Sequence, residues 1–138
     1  ASALVLTRES NLNGRDPLAR IVAHSTHSIH PSEFTLAPIG AIEKLLDKTG
    51  WTADSVDLFE INEAFAMVTM LTMQALKLPH EKVNIYGGAC AQGHPIGSTG
   101  SRLIVTLAHA MQQQGKTRGI AALCIGGGEA TAVALERT

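Results

Sequence analysis

Apolar residues recur along this chain with two periods, and the alternation between them predicts its elements. Ser2–Leu6 reads as a short buried strand, and Glu9–Asp16 as a polar turn around Asn13-Gly14. Leu18–Ile29 carries Ile21, Val22 and Ala23 ahead of small polar residues and predicts a strand running into a loop. Over Thr35–Lys48, Leu36, Ile39, Ile42, Leu45 and Leu46 recur at helical spacing, with Gly50 as the stop. Val56–Ile61 predicts a strand. The helix that follows, Ala64 to Leu76, is apolar around nearly its whole circumference, so burial on all sides is expected. A domain of this size seldom buries a helix completely, and a second body is expected to cover it.

Val83–Ile85 predicts a short extended piece before a glycine-rich loop. Ser98 or Thr99 is expected to cap a helix carrying Leu103, Ile104, Leu107, Ala110 and Met111, with Gly115 as its C-terminal stop. The continuous apolar run Gly119–Ile125 is typical of a central strand. Gly126-Gly127-Gly128 forms a turn, and Ala130–Leu135 returns, closing a hairpin. The order β, β, α, β, α, loop, α, β, β predicts an α/β layered domain over 1–138, a mixed five-stranded sheet covered by helices.

Composition narrows the function classes. The chain has 138 residues, 45% hydrophobic and 17% charged, which suits one domain with a real core. Its net charge is −1 with the signs well mixed, so no basic stripe points to nucleic acid or an anionic membrane. No apolar run approaches the ~18 residues a membrane span needs. The first residue is Ala, the chain opens directly in an apolar run, and these residues carry no charged n-region followed by an apolar h-region, so no secretory signal is expected within them. A piece of a longer protein is the expectation, in a cytoplasmic setting where Cys90 and Cys124 stay reduced.

Three segments carry candidate chemistry, each at a strand end or in a glycine turn: Asn62-Glu63-Ala64-Phe65-Ala66, Gly93-His94-Pro95-Ile96-Gly97 and Cys124-Ile125-Gly126-Gly127-Gly128. Ligands of α/β sheets bind outside the carboxyl ends of the strands. An amide, an imidazole and a thiol meeting there offer a group to orient water, an oxyanion donor or base, and an acid/base. Phosphate motifs fail: Gly88 and Gly93 have P-loop spacing, but His94 and Pro95 stand where Lys and Ser/Thr are required. Gly93, Gly97 and Gly100 do not make a dinucleotide fingerprint. His24, His27 and His30 recur every three residues without a Cys or carboxylate partner nearby, so no metal site is expected.

Taken together and in order, the three segments resemble the signatures of the C-terminal half of the thiolase family, and the resemblance covers the whole chain. It implies a fold of two similar α/β halves with helices between two sheets. It also implies a reversible Claisen condensation, or thiolytic cleavage of a 3-ketoacyl-CoA. By resemblance, His94 activates a nucleophilic cysteine and donates through Nε2 to a thioester oxygen. Asn62 holds the water that completes that oxyanion hole. Cys124 moves the α-proton, and the Gly126 N–H donates to a second oxyanion. Phe65 is expected near the acyl or pantetheine end of the substrate. The implied partners are acyl-CoA and CoA as substrates with no further cofactor, the N-terminal thiolase half, and copies of itself in a dimer or tetramer. The family's nucleophilic cysteine belongs to the other half, and Cys90 falls where the motif is open, so the isolated chain is expected to be inactive.

Plainer readings stand beside these. His94 alone reads as a core histidine, Cys124 as a small buried hydrophobe, Asn62 as a helix cap, Glu63 as a structural residue at the helix start, and Cys90 as packing. Met67, Met70 and Met73 read as a core stripe, Trp51 as a local anchor. Rival functions are a ketoacyl synthase, which would need a second motif histidine, a non-catalytic domain binding acyl-CoA or lipid, and an assembly domain.

Overall fold

Side-chain alternation along the last two apolar runs builds the centre of a sheet with both faces covered. The computed structural model describes residues 1–137. In chain order its elements are β1 (Arg20–Ser28), α1 (Ala37–Thr49), β2 (Leu58–Ile61), α2 (Ala66–Leu76), α3 (Ala89–Gln92), α4 (Ile96–Gln113), β3 (Arg118–Ile125) and β4 (Glu129–Glu136). The strands lie in the order β1-β4-β3-β2. β2 runs parallel to β3, with Leu58 opposite Gly119 and Ile61 opposite Ala122. β4 is antiparallel to both β3 and β1.

The period of two sorts these strands into two cores. Ile120, Ala122, Ala130, Ala132 and Ala134 pack with Ala41, Ile42 and Leu45 of α1 on one face. Ala121 and Leu135 pack with Leu103, Leu107 and Met111 of α4 on the other. Helix ends follow the sequence. Gly50 closes α1 in the left-handed region at φ 69°, its N–H reaching Leu46 and Asp47. Gly115, at φ 62°, turns the chain away after α4. In the β3–β4 turn Gly128 sits at φ 85°, and a Cβ there would collide with the carbonyl oxygen of Ile29.

The pattern predicts five strands; the sheet has four. Ser2–Leu6 forms none, and Val5 is 97% and Leu6 70% exposed. An apolar run becomes a strand only where a neighbour accepts its backbone hydrogen bonds, and no edge of this sheet meets that segment. For the same reason Val83–Ile85 shrinks to a single bridge, Phe59 to Val83. α4 begins at Ile96, ahead of the predicted cap. Pro95 takes the N-cap position, and its carbonyl accepts the Ser98 and Thr99 N–H groups.

α2 differs from its expectation in an informative way. Val68, Thr69 and Thr72 face inward, while Phe65, Met67 and Met70 are 58%, 51% and 66% exposed. The apolar circumference is real, and none of the described residues covers its outer side. Such a face drives association. The isolated chain is therefore expected to self-associate, and the double substitution Met67→Asp, Met70→Asp to return it to monomer. Static light scattering reads this, and a clean wild-type monomer at tens of micromolar would contradict it.

Candidate active site

Parallel pairing places the carboxyl ends of β2 and β3 at one edge of the sheet. Asn62 follows β2 immediately and continues the ladder, its N–H donating to the Ala122 carbonyl at 2.9 Å. Cys124 lies near the end of β3 and Gly126 just beyond it. The start of α4 arrives at the same edge from the other side, bringing His94. A cleft of about 520 Å³ joins them, and Asn62, His94, Cys124 and Gly126 all line it. Gly97, Thr99, Gly100 and Ser101 bring the N-terminal turns of α4 to its wall, and so the helix's positive end.

Each side chain is held differently. Asn62 is only 1% exposed, yet neither its Oδ1 nor its Nδ2 has a hydrogen-bond partner among the described residues. A buried amide left open on both atoms is uncommon and points to a missing water or ligand. It caps no helix: α2 starts at Ala66 without a side-chain cap. His94 stands exposed at the mouth, its Nδ1 fixed 2.7 Å from the Thr99 hydroxyl. Cys124 is partly buried, and burial pushes its thiol above the ordinary range, opposed only by a backbone hydrogen bond. It therefore rests as a neutral thiol at pH 7. Gly97 and Gly126 have open space where a Cβ would sit and no positive φ. The fold does not demand glycine at either, so the room they leave faces the cleft.

Phe65 does not line the cleft. It stacks edge-on against Phe34, ring centres 6.0 Å apart, and Phe34 is the wall residue. Phe34 comes from the turn Pro31–Leu36, where no motif marked it. Thr99 was legible only as a possible cap. Glu63 holds the glycine loop rather than a helix start: its carboxylate accepts the Cys90 N–H at 2.8 Å and the Asn84 amide at 3.0 Å. A Cβ at Gly88 would overlap that carboxylate, so a larger residue there would push Glu63 off its two hydrogen bonds. Burial alone would raise the Glu63 pKa; the bonds from Cys90 and Asn84, with the Arg102 charge, bring it below the usual carboxylate range. Asn84 also pairs with both backbone groups of Ile61, standing in for a strand along the β2 edge. Cys90 is exposed and lies outside the cleft. Among the described residues no three His, Cys, Asp or Glu side chains gather as a metal site, and no helix is long and apolar enough to cross a membrane.

This geometry has close counterparts. The family model described as "Thiolase, C-terminal domain" matches residues 15–137. The chain belongs to the thiolase family, as its C-terminal domain. It is 49% identical to the cytosolic acetyl-CoA acetyltransferase of Mus musculus over 139 aligned positions, covering 99% of this chain and 35% of that protein. With the Escherichia coli acetyl-CoA acetyltransferase the identity is 45%, with the same coverage of each. The crystal structure of the Bacillus anthracis acetyl-CoA acetyltransferase superposes with a TM-score of 0.92 at 42% identity, covering 94% of this chain and 34% of that one. Human mitochondrial 3-ketoacyl-CoA thiolase gives 0.90 at 37% identity, covering 94% and 33%. This thiolase domain thus spans about a third of the length of its relatives.

Beneath the site, Glu60 of β2 is 2% exposed and meets Arg102 of α4 at 3.5 Å. Burial pushes the Glu60 carboxyl up to about 7, against the lowering pull of Arg102, and nearby Glu63 adds to the rise. The folded domain then keeps a proton that the unfolded chain releases above the ordinary carboxyl value of 4.5. Stability should fall as pH rises from 4.5 to about 7, by a few kcal/mol at ~1.4 kcal/mol per unit, and level off above. Urea denaturation across that window is expected to show the decline in wild type and a flatter profile in Glu60→Gln; equal slopes would contradict it.

Proposed function

We propose that this domain supplies one wall of a thiolase active site that cleaves 3-ketoacyl-CoA thiolytically or forms it by Claisen condensation. The observation that carries the reading is the unpartnered Asn62 amide, buried beside His94 and Cys124 in one cleft. A thioester turning into an enolate needs donors aimed at its oxygen, each worth about 2.7–4 kcal/mol of transition-state stabilisation. His94 Nε2–H is one such donor. A water held by Asn62 is the other, and the empty hydrogen-bonding capacity of that amide suits it.

In the thiolytic direction a cysteine thiolate from the N-terminal half attacks the 3-keto carbon, and the bond between C2 and C3 breaks. The departing acetyl-CoA enolate rests its oxygen on His94 and the Asn62 water. Cys124 gives its S–H proton to C2, and the protonated state that burial favours is the one this step requires. The acyl group stays on the nucleophile as a thioester until the CoA thiol attacks it: the Cys124 thiolate takes the CoA S–H proton, the oxyanion of the tetrahedral adduct accepts from the Gly126 N–H, and the nucleophile leaves as thiolate. Condensation runs the same steps backwards and needs Cys124 as thiolate, which that burial disfavours. Phe34, backed by Phe65, faces the acyl or pantetheine end of the substrate, and Gly97 and Gly126 admit a flat ligand close to the backbone.

The partner half brings the nucleophile, covers the bare face of α2 and completes the CoA contacts, so the isolated domain should turn nothing over. CoA thioesters are substrates here and no other cofactor is invoked. The names of the rodent relatives suggest acetyl-CoA chemistry in the cytosol for the whole protein; dimers or tetramers as its assembly rest on the family resemblance alone. With the domain joined to a nucleophile-bearing thiolase half, His94→Ala should lower thiolysis of acetoacetyl-CoA by at least 10²–10³-fold while circular dichroism stays unchanged. Turnover near wild type would remove His94 from the chemistry and favour a domain that only binds acyl-CoA or lipid.

A further inference from the structure

The donor role proposed above and the base role implied by the thiolase resemblance give one imidazole two incompatible duties. As an oxyanion donor His94 needs the proton on Nε2; as a base toward a thiol it needs Nε2 bare. The neighbour that decides between them is on the same helix start. Thr99 as a residue is nearly fully buried, at 2% exposure. Its hydroxyl is the group that faces His94. It lies 2.7 Å from His94 Nδ1 and 3.2 Å from the Pro95 carbonyl oxygen. One hydroxyl proton therefore faces two acceptors. The arrangement follows from the backbone: His94 precedes α4, Thr99 sits in its first turns, and the Pro95 carbonyl that receives the Thr99 N–H also lies within reach of its hydroxyl.

We propose that Thr99 is a positioning residue whose hydroxyl has two settings, and that these settings hold His94 in its two working tautomers. When Thr99 donates to Nδ1, the ring proton stays on Nε2 and points at the cleft as a hydrogen-bond donor. When Thr99 turns its proton to the Pro95 carbonyl, its oxygen accepts Nδ1–H and Nε2 is bare. In that second setting Nε2 takes the proton of a thiol: the S–H bond breaks, an N–H bond forms, and a thiolate and an imidazolium result. The imidazolium carries protons on both nitrogens and keeps Thr99 in the second setting. The two neutral settings interconvert through this cation, which gains one proton from water and returns the other to it. His94 is exposed, so that exchange is open to solvent.

The inference rests on the thiolase reading for its purpose but not for its first test. In the isolated ¹⁵N-labelled chain, long-range ¹H–¹⁵N correlation spectra report which His94 nitrogen holds the proton. Wild type and Thr99→Ser should both populate the two tautomers at neutral to alkaline pH. Thr99→Val removes both the donor to Nδ1 and the acceptor for Nδ1–H, and the ring should shift toward the Nε2–H form that a neutral imidazole side chain favours on its own. The same tautomer ratio in the Val variant as in wild type would overturn the switch, whatever the enzyme does.

The second test joins the domain to a nucleophile-bearing half and separates the two duties. Thr99→Val should slow acylation of the nucleophile by acetoacetyl-CoA by about 10²-fold or more, the usual loss when a base is removed. It should leave exchange of the acetyl-CoA α-proton with deuterium within about threefold of wild type, because Nε2–H still donates. Thr99→Ser should restore acylation. Equal loss of both reactions, or loss of neither, would overturn the proposal. A wild-type joined protein with neither activity would count against the thiolase reading and leave the tautomer result standing on its own.

Discussion

Parallel pairing of β2 with β3 is the constraint on which the rest depends. It is short, running from Leu58 opposite Gly119 to Ile61 opposite Ala122, and it extends through the Asn62 N–H to the Ala122 carbonyl. Because the two strands point the same way, their carboxyl ends emerge together, and Asn62 and Cys124 leave the sheet at one edge. An antiparallel pair would have sent them to opposite ends. Strands in parallel need a long crossover, and here that crossover contains the glycine loop and α4. The connection that makes the pairing possible is the one that carries His94 to the same edge.

The loop is then held by polar groups rather than by packing. Glu63 ties the Cys90 N–H and Asn84 into one cluster, while Asn84 also saturates the β2 edge at Ile61. Below, Glu60 and Arg102 bridge β2 to α4, and one guanidinium nitrogen remains without a partner among the described residues. A buried ion pair of this kind adds little net stability, since desolvation offsets the attraction. Its effect is on position. It fixes where the strand that leads into Asn62 meets the helix that follows His94.

Much of this was legible in the sequence for a clear reason. Strands covered on both faces read as unbroken apolar runs, and Gly119–Ile125 and Ala130–Leu135 declared themselves that way. Glycines at helix stops and in the hairpin turn marked boundaries because the left-handed backbone angles there favour glycine. His94, Asn62, Cys124 and Gly126 each sat in a short motif, and the fold gathers all four at one cleft. What escaped depends on contacts between distant segments. Ser2–Leu6 has the pattern of a strand but no neighbour to pair with. Phe34 reaches the cleft from a turn that carries no motif, with Phe65 stacked edge-on against it. The roles of Thr99 and Glu63 arise from where α4 and the glycine loop fold back, which spacing alone does not encode.

The central claim is that an imidazole, a water on a buried amide and a thiol surround one thioester. A crystal structure of the domain joined to its partner half, with a non-cleavable acyl-CoA analogue bound, tests this most directly. The account places the analogue's thioester oxygen within hydrogen-bonding distance of His94 Nε2 and of a water seated on Asn62, with the Cys124 sulfur beside the α-carbon. An analogue bound elsewhere, or an Asn62 amide that stays dry while the cleft is occupied, would contradict it.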